Sequence, residues 1–127
     1  VYVYFIYGNY YCLNVVCEDK GIGNAVLIRA AEPLKGINEM KKLRGPVKND
    51  HELANGPAKL CLSLNIDKSL YGEDLTTGKN IFISKPSEKE KFNIVVTKRM
   101  CLNVGVDLPY RFFIKDNPYV TKHKCNN

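Results

Sequence analysis

A mixed α+β fold with mostly antiparallel strands is what this 127-residue sequence predicts. Three observations carry that reading. The opening stretch, YVYFIYGNYYCLN over residues 2–14, is apolar and tyrosine-rich, and it is interrupted only at Gly8-Asn9. That pattern is a β-hairpin, because Gly and Asn both tolerate a positive φ in a tight turn. The middle of the chain carries apolar residues at helical spacing, and the last third returns to short β-branched and aromatic runs. Strands, then helices, then strands over this length make one domain, residues 1–127, with the hairpin protruding from the sheet.

In chain order, the first strand is expected over Val1–Tyr7 and the second over Tyr10–Cys17, with Tyr7 at the turn. Residues 18–24 are polar and Gly-rich and read as a turn. A third strand is expected from Ala25 to Ala31, its alternation setting Leu27 and Arg29 on one face and Val26 and Ile28 on the other. Leu34–Arg44 is a predicted helix on the spacing of Ile37, Met40 and Leu43, stopped by Gly45-Pro46. A second helix starts at Gly56-Pro57, since proline suits a first turn whose amide hydrogen has no partner. Its predicted buried stripe is Leu60, Cys61 and Leu64, and Asp67-Lys68-Ser69 ends it. Residues 71–79 read as loop, with later strands near Asn80–Ser84, Phe92–Lys98 and Tyr110–Lys115. Pro86–Lys91 reads as a charged connector, and the tail from Thr121 as a frayed end.

Composition limits the function classes. The net charge of +6 favours phosphate-bearing partners without proving them. No run is long enough to span a membrane, and no signal peptide precedes the hairpin, so a cytoplasmic, bacterial-type location is expected. The cysteines, at 12, 17, 61, 101 and 125, are odd in number and include no C-x-x-C pair. They read as reduced thiols, with Cys12 and Cys61 in apolar patterns, rather than as a disulfide framework or a zinc site. His51 and His123 are far apart in polar surroundings, so no metal is expected.

Several residues invite a functional reading beside a plain one. An aromatic at the tip of a rigid hairpin, Tyr7, is placed to wedge into a base stack, although alternating tyrosines also serve ordinary sheets as cross-strand pairs. Arg29 is flanked by Ile28 and Ala30, where a guanidinium is costly to bury unless it is paired. It is an edge residue with its guanidinium in water, a member of a structural ion pair, or a polar group aimed into a site. Lys41, Lys42 and Arg44 suit the helix dipole without any ligand. Lys59 lies in the first turn of the second helix, where free amides attract anions and a lysine is slightly disfavoured.

The hairpin closely resembles the alkyladenine (3-methyladenine) DNA glycosylases. The likeness continues through AVLIRAAEPLKG (25–36), ANGPAKLCLSLNIDKSL (54–70) and LPYRFFIKDNPYV (108–120), in the family's order and with similar spacing. The resemblance implies a monofunctional, cofactor-free hydrolase of base-excision repair. Such an enzyme flips an alkylated or deaminated purine from duplex DNA and cleaves its glycosidic bond with water. It implies a monomer, and a fold like the C-terminal domain of methionyl-tRNA formyltransferase. Tyr4 resembles the tyrosine that stacks on the flipped base, Asn14 the residue at the pocket floor, and Leu27 a pocket wall. Tyr7 resembles the intercalating residue. Arg29 and the backbone near Met100 resemble supports of the catalytic water. Lys59 and Lys68 resemble phosphate contacts, and Arg44 is a further backbone candidate.

The same resemblance places the general-base glutamate upstream of Val1, so a truncated chain with little activity of its own is expected. No carboxylate here replaces it: Glu32 looks like a helix-entry residue, and Asp67 and Asp74 sit in turns. A binding module for damaged DNA, or for RNA through the fold likeness, is the other reading. The sequence departs from the family at Asn9, where methionine is usual, along Cys101–Asp107, and in a shortened link to Leu108-Pro109. One geometric condition follows from the pocket assignment. With a two-residue turn, Tyr4 and Asn14 point to opposite sides, so an odd register is expected, with a Gly8–Tyr10 loop setting Tyr4 directly opposite Asn14.

Overall fold

The structure is a computed structural model and describes residues 1–86, 91–100 and 102–122. The chain forms two compact units, Val1–Lys85 and Pro86–Asn127. Both mix antiparallel strands with turns, and the helices belong to the first, so the α+β class holds.

In the first unit, β1 (Tyr2–Ile6), β2 (Tyr10–Val16) and β3 (Ala25–Leu27) form an antiparallel sheet in the order β1-β2-β3. The hairpin turn differs from the expected one. Ile6 pairs with Tyr10, so the connection is the three residues Tyr7-Gly8-Asn9. The left-handed pair is Tyr7 (φ 54) and Gly8 (φ 72), not Gly8 and Asn9. Asn9 closes the turn with a long amide bond to the Ile6 carbonyl, 3.4 Å. Gly8 takes this conformation freely, whereas for Tyr7 it costs about 1 kcal/mol or more.

The third strand is shorter than the alternation suggests. Ile28 donates to the Leu13 carbonyl (3.0 Å), and then Ala31 turns to the Ala54 carbonyl (3.1 Å), which draws the backbone off the sheet. Residues 18–24 form the expected turn, with the Ile22 amide bonded to the Asp19 carbonyl at 3.0 Å.

Helix α1 runs Ile37–Arg44, three residues shorter than expected at its start. Gly36 is left-handed (φ 73) and cannot sit inside a helix, and Leu34 is left in solvent. Gly45 (φ 81) ends it as the sequence indicates, its amide bonded to the Lys41 carbonyl. Met40 faces the core, but Leu43 is exposed and Val47 packs in its place. A 3-10 turn at Asp50–Glu52 follows, with Asp50 paired to Lys41 at 2.7 Å.

Helix α2 runs Pro57–Ser63 from the expected Gly56-Pro57 start. Its buried stripe is Leu60, Cys61 and Ser63 rather than Leu60, Cys61 and Leu64. The buried Ser63 hydroxyl donates to the Leu53 carbonyl (2.6 Å), which satisfies both groups, and Leu64 turns outward. The helix ends at Ser63, and the left-handed Asn65 (φ 52) turns the chain away before Asp67 is reached. Asp67 instead caps a separate 3-10 turn, Lys68–Leu70. Residues 80–84 form no strand: the Ile83 backbone amide bonds to the Leu75 carbonyl and the Asn80 side chain to Glu73, and among the described residues no ladder forms there.

The core joins Val3 and Leu13 of the hairpin to Met40, Leu53, Ala54, Leu60, Cys61 and Ile66. Burial pushes the Cys61 thiol up to about 11, so it stays protonated as a packing group.

The second unit is built on β4 (Ile94–Thr97) and β5 (Arg111–Ile114), paired antiparallel within the two expected runs. Arg111 is nearly buried: its guanidinium lies 4.3 Å from the Phe113 ring centre and donates to Thr97 Oγ1 at 3.3 Å. Lys98 and Asp107 pair in solvent at 2.8 Å. Most of the charged connector, Cys101, His123 and Cys125 lie outside the described residues.

Leu53 is fully buried and Leu34 is exposed in the same unit. Leu53→Ala is expected to cost about 2–5 kcal/mol in urea unfolding, and Leu34→Ala less than about 0.5 kcal/mol.

Candidate functional site

Strand register decides which side chains meet here. Directly opposed residues of an antiparallel pair lie on the same face, and neighbours along a strand lie on opposite faces. Tyr4 faces Cys12, Tyr2 faces Asn14, and Asn14 faces Leu27 across the next pairing. Tyr2, Tyr4, Cys12, Asn14 and Leu27 therefore share one face. Val3, Phe5, Tyr11, Leu13, Val15 and Val26 share the other. The register is odd, as a shared face for Tyr4 and Asn14 demands. It is displaced from the expected one, so Tyr4 and Asn14 are diagonal neighbours rather than directly opposed, because the loop begins at Tyr7 and ends at Asn9.

Asn14 is buried, and its amide nitrogen donates to the Tyr2 carbonyl across the pair at 3.3 Å. Tyr4 is half-buried, and its hydroxyl is held above the usual phenol range, first by burial and then by the neighbouring Cys12 thiol. It is a neutral, apolar ring face with a polar tip. The Tyr2 ring leans against Tyr4, with centres 5.7 Å apart and planes tilted by 31°. At the hairpin tip Tyr7 is 85% exposed, so its ring supports nothing in the fold.

A surface recess of about 450 Å³ lies along β1, lined by Tyr2, Tyr4, Tyr71 and Lys68 together with Val3, Phe5 and Tyr11. It joins two residues singled out in the sequence, Tyr4 and Lys68, with five that the sequence does not mark, Tyr2 and Tyr71 among them. Tyr2 was legible, since it stands two positions before Tyr4 on the same strand. Nothing local in the sequence marks Tyr71.

The remaining sequence candidates are placed as follows. Arg29 is half-buried, two residues beyond Leu27 and past the end of β3. Lys59 is half-buried in α2, with its amine bonded to Asn55 Oδ1 at 3.0 Å. Arg44 ends α1, and among the described residues its Nε is buried with no hydrogen-bond partner. Met100 is half-buried in the second unit, after β4.

The recess lining contains neither a carboxylate nor a histidine. Asp67 and Asp74 serve turns: each accepts a backbone amide two residues on, at 2.8 and 2.7 Å. Hydrogen bonds from Ser69 and from Thr76 hold the two carboxyls below their usual range, which makes them weaker bases still. Among the described residues no cluster of His, Cys, Asp and Glu could hold a metal ion. No helix among them is long and apolar enough to cross a membrane.

The buried Asn14 amide gives one direct check. Asn14→Asp sets a carboxylate against the Tyr2 carbonyl, so a loss of about 1–3 kcal/mol is expected at pH 7. The new carboxyl would have a raised folded-state pKa, so the loss is full above that value and shrinks as the pH falls through it. Urea unfolding at pH 7 and pH 4 measures both.

Known proteins are similar to this sequence. The family model described as methylpurine-DNA glycosylase (MPG) matches residues 1–118. A protein of Carboxydothermus hydrogenoformans named "Putative 3-methyladenine DNA glycosylase" is 54% identical over 121 residues, covering 95% of this chain and 63% of its own length. A protein of Clostridium perfringens with the same name is 45% identical over 134 residues, covering 96% and 65%. One from Francisella tularensis, also so named, is 43% identical over 123 residues. The chain thus spans slightly less than two thirds of the length of the curated relatives it matches. With a match over nearly its whole length, this chain belongs to the methylpurine-DNA glycosylase family.

Proposed function

We propose that this chain is the base-holding part of a DNA glycosylase of base-excision repair, acting on alkylated purines in duplex DNA. The observation that carries the reading is the convergence of Tyr4, Asn14 and Leu27 on one sheet face, with Tyr7 free at the end of the same hairpin. An alkylated purine carries positive charge, and the electron-rich face of Tyr4 attracts it. Asn14 offers a fixed amide below the ring, and Leu27 bounds the pocket with an apolar wall. Tyr7 fills the gap left by the extruded nucleotide. Extrusion costs a few kcal/mol, and one aromatic–base stack returns about 1–3 kcal/mol. The left-handed backbone at Tyr7 fits that role, since it holds a ring clear of the fold at some cost in strain.

Lys68 stands at the recess beside Tyr4 and faces the DNA backbone. Lys59 and Arg44 contribute on the same account, each after leaving its present surroundings. Arg29 supports the attacking water. The water also needs a general base, and the recess lining supplies none. On this reading the base comes from outside the described residues, and the chain by itself releases little or no damaged base. The same gap favours a second reading, a module that holds damaged DNA without cutting it.

Base release from a duplex carrying one alkylated purine tests this, using the chain and the same chain with its in-frame upstream sequence. Release by the longer protein alone is expected. Release by the short chain would contradict the placement of the base. Binding by both without release would establish the module instead. Tyr7→Ala is expected to leave the thermal midpoint unchanged and to weaken lesion binding about tenfold.

A further inference from the structure

The described fold leaves one side of the hairpin open, and a residue from far along the chain meets it there. Strand β1 is an edge strand, hydrogen-bonded only to β2. On its open side the ring of Tyr71 meets Tyr2 edge-on, with centres 5.7 Å apart and planes at 69°. Tyr2 in turn leans on Tyr4. The three rings thus form a row along the recess, Tyr71–Tyr2–Tyr4, and Lys68 lines the same recess.

The backbone under Tyr71 is fastened on both sides. Before it, Asp67 caps the 3-10 turn through the Ser69 amide (2.8 Å), and the Tyr71 amide bonds to the Lys68 carbonyl (3.1 Å). After it, the Gly72 amide donates to the Val1 carbonyl (2.9 Å), and the Val1 nitrogen donates to the Glu73 carbonyl (2.8 Å). These two bonds pin the segment to the residue just before β1. Tyr71 is therefore held against Tyr2 by a built connection, although both rings are substantially exposed.

We infer that Tyr71 is a positioning residue, which fixes the plane of the Tyr4 ring by holding Tyr2 against it. The inference rests on the reading of Tyr4 as the face that stacks on the base. Tyr4 is only half-buried, and along the open edge the contact through Tyr2 limits how its ring can turn. A ring already held in the stacking plane loses less freedom when a base arrives. The role needs the ring of Tyr71 and not its hydroxyl, since the contact with Tyr2 is edge-to-face.

The test uses this chain with ring-labelled tyrosine, observed by NMR, as wild type, Tyr71→Ala, Tyr71→Phe and Lys68→Ala. Tyr71→Ala is expected to shift the ring signals of Tyr2 and Tyr4, while Tyr11, paired with Phe5 on the opposite face at 5.1 Å, stays in place. Tyr71→Phe restores Tyr4, and Lys68→Ala leaves it unmoved. The second readout is the preference for a duplex carrying one alkylated purine over the same duplex undamaged. Tyr71→Ala is expected to lower that preference about fivefold, Tyr71→Phe to restore it, and Lys68→Ala to weaken both duplexes alike. Unchanged Tyr4 signals in Tyr71→Ala would overturn the inference. So would a shifted Tyr4 ring with the wild-type preference intact. Shifted signals in a wild type that shows no lesion preference would support the ring relay and refute the base-stacking role of Tyr4.

Discussion

The connection of three residues between the first two strands governs the arrangement of the site. Side chains alternate along a strand, so one residue more or less in a hairpin loop exchanges faces for everything beyond it. Here Tyr7, Gly8 and Asn9 are left unpaired, and Ile6 meets Tyr10. That count brings Asn14 to the face of Tyr4 and sends Leu13 to the core beside Val3. The β2–β3 pairing then adds Leu27 to the same face. A two-residue loop would have turned either Asn14 or Tyr4 into the core, where an aromatic hydroxyl or an amide needs a partner. The left-handed Tyr7 is the local cost of this arrangement, and it leaves the Tyr7 ring projecting into solvent.

How legible the rest was depends on whether a signal is local. The two hairpin strands, the Gly45 stop and the Gly56-Pro57 start follow from side-chain alternation, glycine geometry and the missing proline hydrogen, and each is seen. Errors arose where a long-range bond overrides local pattern. The Ala31 amide finds the Ala54 carbonyl and ends the third strand early, and the Leu53 carbonyl draws Ser63 inward in place of Leu64. Helix α1 starts three residues later than its spacing suggests because Gly36 takes a left-handed φ that composition alone does not announce. Residues 80–84 look like a strand but have no neighbouring ladder to join. The site shows the same division. Tyr4, Asn14 and Leu27 were visible through one strand pattern and a family likeness. Tyr71 was not, because its only claim is a contact made by a distant turn.

Charge and acid–base chemistry complete the picture. A recess walled by tyrosines and bordered by Lys68 suits an electron-poor base and its phosphate, but offers no group to take a proton from water. The turn aspartates are held ionised by hydrogen bonds from the side chains and then the backbone amides of Ser69 and Thr76, which suits structure and not catalysis. Holding a base and activating water are separable tasks, and on the proposed reading this chain carries residues for the first.

The face assignment can be tested within the one sheet. Tyr4 lies on one face and Val26 on the other, and Val26 is exposed and outside the recess lining. The measurement is the equilibrium affinity of Tyr4→Ala and Val26→Ala for a duplex with one alkylated purine, against the identical undamaged duplex. If the Tyr4 face holds the base, Tyr4→Ala abolishes the preference for the lesion and Val26→Ala keeps it. Equal losses from both substitutions, or loss from Val26→Ala alone, would contradict the assignment of the site to that face.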